Sequence, residues 1–464
     1  MEESLAPSSP AFLRQPEAAA ELQAAPPRSG MTRRDFAWQR MDTEKNLMVI
    51  NSILLFEGPV DMAKLTSTIE HRLPNYPRFT QKVVTRLGRP EWVEDAAFQI
   101  AAHIRLERME REVSRDDLQR RLTRMAHLPL EEGRPLWHIT VIDKVAGGHA
   151  IVFRLHHCIT DGLGLVHVLN HLTDDNDSHG KTPSLAGHPH RGEPSCRSNA
   201  SIFCVAMTWL KIGAHIARLA LLPPDAGTRL KNTLSGDKQL VWLPPLPLER
   251  VKAMAKRMHV TINDVWVAAV SGALRQYLIE QGEHLNGTPL RAAVTFNLRE
   301  KTDAFRLGNE FGLVAVALPT NIHDPVQRLR QASARMTAIK RSQQPHATMA
   351  FLSIAGSLPR PLQRFALNLF TSKGSVVLTN IEGPVKHRYL AGSKMTELFC
   401  WVPQAGVIGT GFAFISYAGQ IQLGLFVDSA LVARPERLMA LTRDAFAVLE
   451  QATGMDAAPV PASA

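Results

Sequence analysis

The sequence predicts a mixed α/β protein folded as two lobes, and three observations carry that reading. A chain of 464 residues that is 45% apolar can bury one large core or two medium ones, which makes two lobes the default. Strand-like runs alternate with helical patterns in two separate blocks. Between the blocks, residues 176–199 hold a single large aliphatic side chain, Leu185. That is too little to build a core, so the stretch reads as a mobile surface connection.

Taken in order, residues 1–30 are rich in Ala, Pro, Ser and Glu and lack the charged, apolar, small-residue order of a secretory signal. They read as a disordered leader, with Met31 an alternative start. The first lobe, 31–175, has strand patterns at 46–56, 137–143 and 149–157 and helical patterns at 60–72 and 114–127. Residues 176–245 form the linker. The second lobe, 246–454, opens with helical patterns at 248–258 and 263–280, followed by strands at 292–298 and 311–319. Helices are expected over 324–342 and 348–370, then strands at 375–381 and 395–402 and a hairpin joined at Ala418-Gly419-Gln420. A last helix over 435–451 places Leu438, Leu441, Ala445 and Leu449 on one face. Residues 455–464 read as a disordered tail. No short-period repeat appears, which excludes solenoids and propellers.

The four cysteines, Cys158, Cys196, Cys204 and Cys400, have no paired C-x-x-C spacing, so no metal site or disulfide framework is indicated, and a reducing, cytoplasmic setting fits. The formal charge is +10. Residues 1–30 contribute two Arg against four Glu, so the remainder carries +12 and wants an anionic neighbour. No nucleic-acid motif accompanies that charge; a membrane surface or a phosphate-rich small molecule such as an acyl-CoA suits it better. The longest apolar stretch, 200–222, is interrupted by Lys211, His215 and Arg218, which argues against a bilayer-crossing helix.

The chemistry concentrates in IVFRLHHCITDGL, residues 151–163. Period-two alternation puts Ile151, Phe153, Leu155 and His157 on one face and Val152, Arg154 and His156 on the other, so the two histidines point in opposite directions. One can act on a substrate while the other locks the strand end. Leu165, Val168, Leu169 and Leu172 recur at helical spacing, so a helix starts just after, with Thr160 or Asp161 as its N-cap. Gly162 permits a tight exit or a close backbone approach. Taken singly, His157 reads as a core histidine, Asp161 as a cap and Gly162 as turn chemistry. The combination His-His-x-x-x-Asp-Gly arises by chance in a chain this long in roughly two cases per thousand.

That combination resembles the HHxxxDG signature of the coenzyme A-dependent acyltransferase superfamily. PLWHITVID (135–143), TINDVWVAAVSGALRQYL (261–278), VTFNLRE (294–300), LGNEFGLVAVALPT (307–320) and LTNIEGP (378–384) resemble, in order, the blocks of the bacterial and plant wax ester synthase/diacylglycerol acyltransferase family, and NLMVINSILLFEGP (46–59) resembles its N-terminal block. The resemblance covers about residues 35–450. It implies a chloramphenicol-acetyltransferase-like fold, with mixed sheets flanked by helices and a tunnel between the lobes entered by acyl-CoA from one side and by the acceptor from the other. It makes His157 the general base and Asp161 an architectural residue whose arginine partner is Arg299. It also carries over the Asn263-Asp264 pair and the turn Asn380, Gly383 and Pro384. Read from the residues alone, Arg299 is equally a surface charge at a strand end, Asn263 and Asp264 the cap and first-turn acid of a helix, and Gly383-Pro384 a tight reversal.

The function expected is O-acyl transfer from a long-chain acyl-CoA, a substrate and not a cofactor, to diacylglycerol or a long-chain alcohol. The absence of a G-x-S-x-G elbow favours direct transfer. The alternatives are an acyltransferase of the BAHD or condensation type acting on a soluble acceptor, the former lacking its DFGWG-like block here, and a non-catalytic lipid-surface protein. On a helix over 201–221, Lys211, His215 and Arg218 line one side and Phe203, Met207, Trp209, Leu210, Leu219 and Leu222 supply an apolar surface. This is either a packed bridging helix or a peripheral contact with a membrane or lipid droplet.

Overall fold

The computed structural model describes residues 28–175, 225–285, 290–299 and 307–454, with short pieces between 213 and 223. The first part of the chain runs β1 (Arg28–Gly30), α1 (Arg33–Gln39), β2 (Val49–Glu57), α2 (Met62–Arg72), β3 (Gln81–Arg86), β4 (Arg89–Glu94), β5 (Ile104–Glu107), α3 (Arg115–Ala126), β6 (Trp137–Val145), β7 (Gly148–His156) and α4 (Gly162–Leu172). After the connection come β8 (Lys238–Trp242), β9 (Leu246–Pro247), α5 (Leu248–Arg257), α6 (Ile262–Glu280), β10 (Arg291–Asn297) and β11 (Phe311–Ala317). Then follow α7 (Pro325–Lys340), α8 (Gln344–Ala355), α9 (Arg360–Thr371), β12 (Val376–Glu382), β13 (Tyr389–Leu390), β14 (Ser393–Trp401), β15 (Thr410–Tyr417), β16 (Gln420–Asp428) and α10 (Pro435–Ala452).

Two mixed sheets organise most of these elements, while β1, β4 and β3 form a small antiparallel sheet of their own. The first has the order β13-β14-β2-β7-β6-β5; the second runs β11-β10-β12-β15-β16-β8, with β9 also on β16. Strand alternation decides what each face packs against. Ile151, Phe153 and Leu155 of β7 enter one core, while Ala150 and Val152 join Leu118 and Leu122 of α3 in another. The second sheet is packed on α6 and α10, where Trp266 stacks on Phe414 at 4.4 Å and on Phe446 at 5.4 Å.

The sequence-based division is crossed in both directions. Strand β14, expected within the second lobe, pairs antiparallel with Asn51–Phe56 of β2 in the first sheet. Strands β8 and β9, placed by pattern in the linker or at its boundary, belong to the second sheet. Residues 28–30, read as part of a disordered leader, pair with Glu91–Val93. The single helix expected over 348–370 is two: Gly356 approaches Arg33 so closely that a Cβ would stand 1.9 Å from its carbonyl oxygen, and Pro359 stands at the N-cap of α9. The final hairpin turns on Ala418 and Gly419, both at positive φ, as a two-residue turn between right-twisted strands requires. Residues 1–27 and 455–464 and most of 176–224 lie outside the described residues.

Candidate active site

The site is built where β7 runs out. His156 is its last residue, paired with Val49, and the chain then turns: His157 N donates to Met48 O at 2.7 Å and Ile159 N to His156 O at 3.0 Å. Asp161 caps α4, its Oδ1 accepting from Gly164 N at 2.9 Å. The strand end and the helix start therefore fix both ends of the five-residue motif loop.

His157 is buried, stacked on Trp38 with ring centroids 4.3 Å apart, and tilted against Phe311. Its Nδ1 lies 2.8 Å from Asn309 Oδ1. Asn309 Nδ2 donates to His157 O at 2.8 Å and to Asp35 Oδ1 at 2.9 Å, and Asn309 N also donates to Asp35 Oδ1. With both amide hydrogens committed, Oδ1 accepts, so Nδ1 carries the proton and Nε2 keeps its lone pair. Asp35 is itself held by Arg78, 3.0 Å away, which also donates to the carbonyls of Cys158 and Ile159. Burial pushes the imidazole below its ordinary pKa, which keeps the ring neutral at neutral pH.

His156 turns the other way. Its Nε2 lies 3.0 Å from Asp42 Oδ2, and its Nδ1 accepts from Cys158 N at 3.1 Å. Burial opposes charging this ring, but Cys158 and Asp42 outweigh it and hold its pKa above the ordinary value; the N–H aimed at Nδ1 places the ring proton on Nε2, toward Asp42. Asp161 Oδ2 accepts from Arg299 Nη2 at 2.9 Å and from Glu310 N at 3.0 Å, and the same arginine nitrogen reaches Gly308 O at 2.8 Å. The Arg299 side chain is 4% exposed, so it is no surface charge. The pair bolts the motif loop to the segment that carries Asn309. A Cβ on Gly162 would meet the outer end of the Ile381 side chain, Cδ1, at 2.8 Å, where the start of α4 lies against β12.

A cavity of about 310 Å³ opens beside His157 and Asp161, where the two halves of the chain meet. Strands β10 and β12 pair only through Ala292–Val294 and Val376–Leu378. Beyond that point Thr295, Asn297, Thr379 and Asn380 line the cavity, so the parting of two parallel strands creates it. Its walls are mainly apolar, with Phe311, Leu313, Phe370, Val402 and Ile408 among them.

A family model of the wax ester synthase/diacylglycerol acyltransferase catalytic domain matches residues 31–266, and one of the C-terminal domain of the same family matches 307–450. The chain belongs to this family. A probable diacylglycerol O-acyltransferase of Mycobacterium tuberculosis, tgs1, is 30% identical over 426 residues, covering 87% of this chain and 91% of that protein. The wax ester synthase/diacylglycerol acyltransferase from Marinobacter aquaeolei VT8 superposes with a TM-score of 0.69 at 20% identity, over 92% of this chain and all of that one. A trichothecene 15-O-acetyltransferase from Fusarium sporotrichioides gives 0.64 at 11% identity, over 91% and 95%. The two-lobed coenzyme A-dependent acyltransferase fold is thereby shown, and membership of the family makes the protein an acyltransferase.

The remaining residues expected from the acyltransferase resemblance divide by position. Asn380 lines the cavity and donates to Asn263 Oδ1 at 2.5 Å. Asp264 lies inside the fold, accepting from Thr261 N and Ser333 Oγ. The N-cap of its helix is Thr261, two residues before the Asn263 expected. Gly383 lets β12 lie against β15, where a Cβ would stand 2.3 Å from Ser416 O, and Pro384 O accepts from Ala418 N. Cys158 is buried in the first core. Of the basic helix, Lys211 and His215 fall outside the described residues, and Arg218 is exposed on a helical turn. Sequence reasoning missed Asp35, Trp38 and Asn309. The first two lie on a seven-residue helix, too short to show a period; Asn309 lies in the block LGNEFG, where neither spacing nor charge marks it as a partner of His157.

Proposed function

We propose that this acyltransferase moves a long-chain acyl group from acyl-CoA to the hydroxyl of diacylglycerol or a long-chain alcohol, in the cavity beside His157. His157 Nε2 takes the acceptor's proton as the hydroxyl oxygen attacks the thioester carbonyl. The new C–O bond forms, the C–S bond breaks, and the proton passes to the departing thiolate, giving free CoA and triacylglycerol or wax ester. The observation that carries the reading is the tautomer: a neutral imidazole, tied at Nδ1 by Asn309, faces a mostly apolar cavity with the other nitrogen unprotonated. Direct transfer is favoured because Cys158 is packed in the core and burial raises the Cys400 thiol to about 11, far from a ready nucleophile.

We place the protein in the cytoplasm, peripherally on a membrane or lipid droplet. No described helix is long and apolar enough to cross a membrane, and the +10 charge suits an anionic surface. Purified protein offered labelled palmitoyl-CoA with diacylglycerol, with hexadecanol, or with a short soluble alcohol tests the reading: labelled triacylglycerol or wax ester is expected. Label passing only to the soluble alcohol would favour the BAHD or condensation type, and no transfer at all would sink the enzyme reading.

A further inference from the structure

Residues 325–381 contain eight Lys and Arg and no Asp or Glu. Within this run, α9 buries Gln363, Leu367 and Thr371 and turns Leu362, Phe365 and Leu369 outward, 56%, 69% and 38% exposed. The spacing i, i+3, i+7 puts those three on one stripe, and α8 adds Ile354, 51% exposed. Four of the ten large apolar side chains exposed among the described residues thus fall within sixteen positions, a concentration that scattered surface apolar residues do not produce.

The stripe has a basic border. Arg360 and Arg364 of α9 are exposed. Arg33 of α1 and Arg40 at its C-cap reach across to Ser357 Oγ and Leu358 O, each at 2.9 Å, in the turn between α8 and α9. At the other end of α9, Lys373 Nζ donates to Leu222 O at 2.6 Å and Asp225 N to Ser372 O. That brings exposed Leu221 and Arg218 beside the helix. The last residues of α9, Phe370 and Thr371, line the cavity. One helix therefore shows an apolar, basic-bordered face to the outside and its end to the substrate.

We propose that the outer face of α9 docks the protein on anionic lipid, with Leu362, Phe365 and Leu369 among the acyl chains and Arg360 and Arg364 at the headgroups. An exposed apolar stripe flanked by arginines, on a run from 325 to 381 that carries no Asp or Glu, has the chemistry of a helix lying in an anionic bilayer surface, with apolar side chains among the acyl chains and cations at the headgroups. Docked so, the helix that anchors the protein also forms part of the cavity wall, and a lipid acceptor reaches that wall without crossing water. The docking deepens the acyltransfer reading; only its purpose rests on that reading.

Flotation of the full chain with vesicles of phosphatidylcholine and phosphatidylglycerol, and of phosphatidylcholine alone, tests the proposal. Leu362→Ser with Phe365→Ser is expected to cut partitioning onto both vesicles by about tenfold or more. Arg360→Glu with Arg364→Glu is expected to cut it by a similar factor on the anionic vesicles only. Both variants should keep wild-type turnover of a soluble alcohol and lose it on vesicle-held diacylglycerol. Loss of all turnover in the wild type, with flotation behaving as stated, would overturn the acyltransfer reading and leave the docking surface standing. Both variants floating like wild type would overturn the docking surface, as would flotation lost in Lys211→Glu with Arg218→Glu but retained in the α9 variants. A wild-type dimer that Leu362→Ser with Phe365→Ser converts to a monomer, with flotation unchanged, would assign the face to a second copy of the chain instead.

Discussion

Asn309 decides which nitrogen of His157 is free. Its amide hydrogens go to the histidine's own carbonyl and to Asp35, which leaves only its oxygen for Nδ1. Replacing Asn309 by Ala removes that constraint and lets the ring rotate or change tautomer. Misplacing a reacting group by about 1 Å costs on the order of 10²-fold, so kcat is expected to fall by about that factor with KM little changed. Steady-state kinetics over a range of acyl-CoA concentrations checks this; an unchanged kcat would remove Asn309 from the mechanism.

His157→Ala should lower turnover by roughly 10²–10⁴-fold in a protein that still folds. His156→Ala should act chiefly through stability, because it breaks the contacts to Asp42 and Cys158 N. Parallel activity assays and thermal melts separate the two effects. Near-wild-type turnover in folded His157→Ala would refute the general-base role.

The contact between Asp161 and Arg299 can be measured as a coupling. Asp161→Asn, Arg299→Gln and the double variant, compared by denaturant unfolding, should be non-additive by about 0.5–3 kcal/mol. Strict additivity would mean the contact contributes nothing beyond its two separate environments.

Thr379 Oγ1 is buried in the cavity wall with no hydrogen-bond partner among the described residues. If a bound substrate supplies that partner, Thr379→Val should leave stability unchanged or slightly raised. Activity should fall by about tenfold, the worth of one hydrogen bond of roughly 1.4 kcal/mol. A melting temperature that drops while kcat/KM holds would point to a structural role instead.

Burial lowers the pKa of His103, His138, His149, His157, His167 and His171 from the ordinary 6.5. The unfolded chain therefore binds protons at these positions at higher pH than the folded one does. Their stabilisation is complete above about pH 6.5 and declines as pH falls below it. Unfolding midpoints measured from pH 7.5 to pH 5 should drop steadily below 6.5. The base form of His157 persists to lower pH than a free imidazole's would, so the acid limb of the activity profile should lie below 6.5 where the fold survives.

The motif loop was legible because its information is local: alternation along β7 gave the opposed histidines, and helical spacing after Gly162 gave the cap. Arg299 came from the family resemblance, since nothing in its neighbourhood of the chain says that it reaches a carboxylate 138 positions away. Asp35 and Trp38 were invisible for a different reason. A seven-residue helix leaves no periodic trace, and an acid beside aromatic residues looks like ordinary surface until Arg78 and Asn309 arrive from elsewhere in the fold. Strand β14 reads as a strand in the sequence, but its pairing with β2 across the lobe boundary is set by topology, which the residue pattern does not carry. The cavity owes its existence to where β10 and β12 stop pairing, which no pattern of residue types encodes.

Strand β14 also sets a timetable. Residues 51–56 leave the ribosome more than 300 residues ahead of the strand that pairs with them, so one edge of β2 waits unpaired through most of synthesis. Such an edge is open to the wrong partner, and contacts of this sequence separation form late. A nascent chain truncated before residue 393 should therefore be aggregation-prone or held by chaperones. The acid-free, apolar-faced stretch that precedes β14 is made in the same window, which places the two surfaces most in need of shielding on the same nascent intermediate.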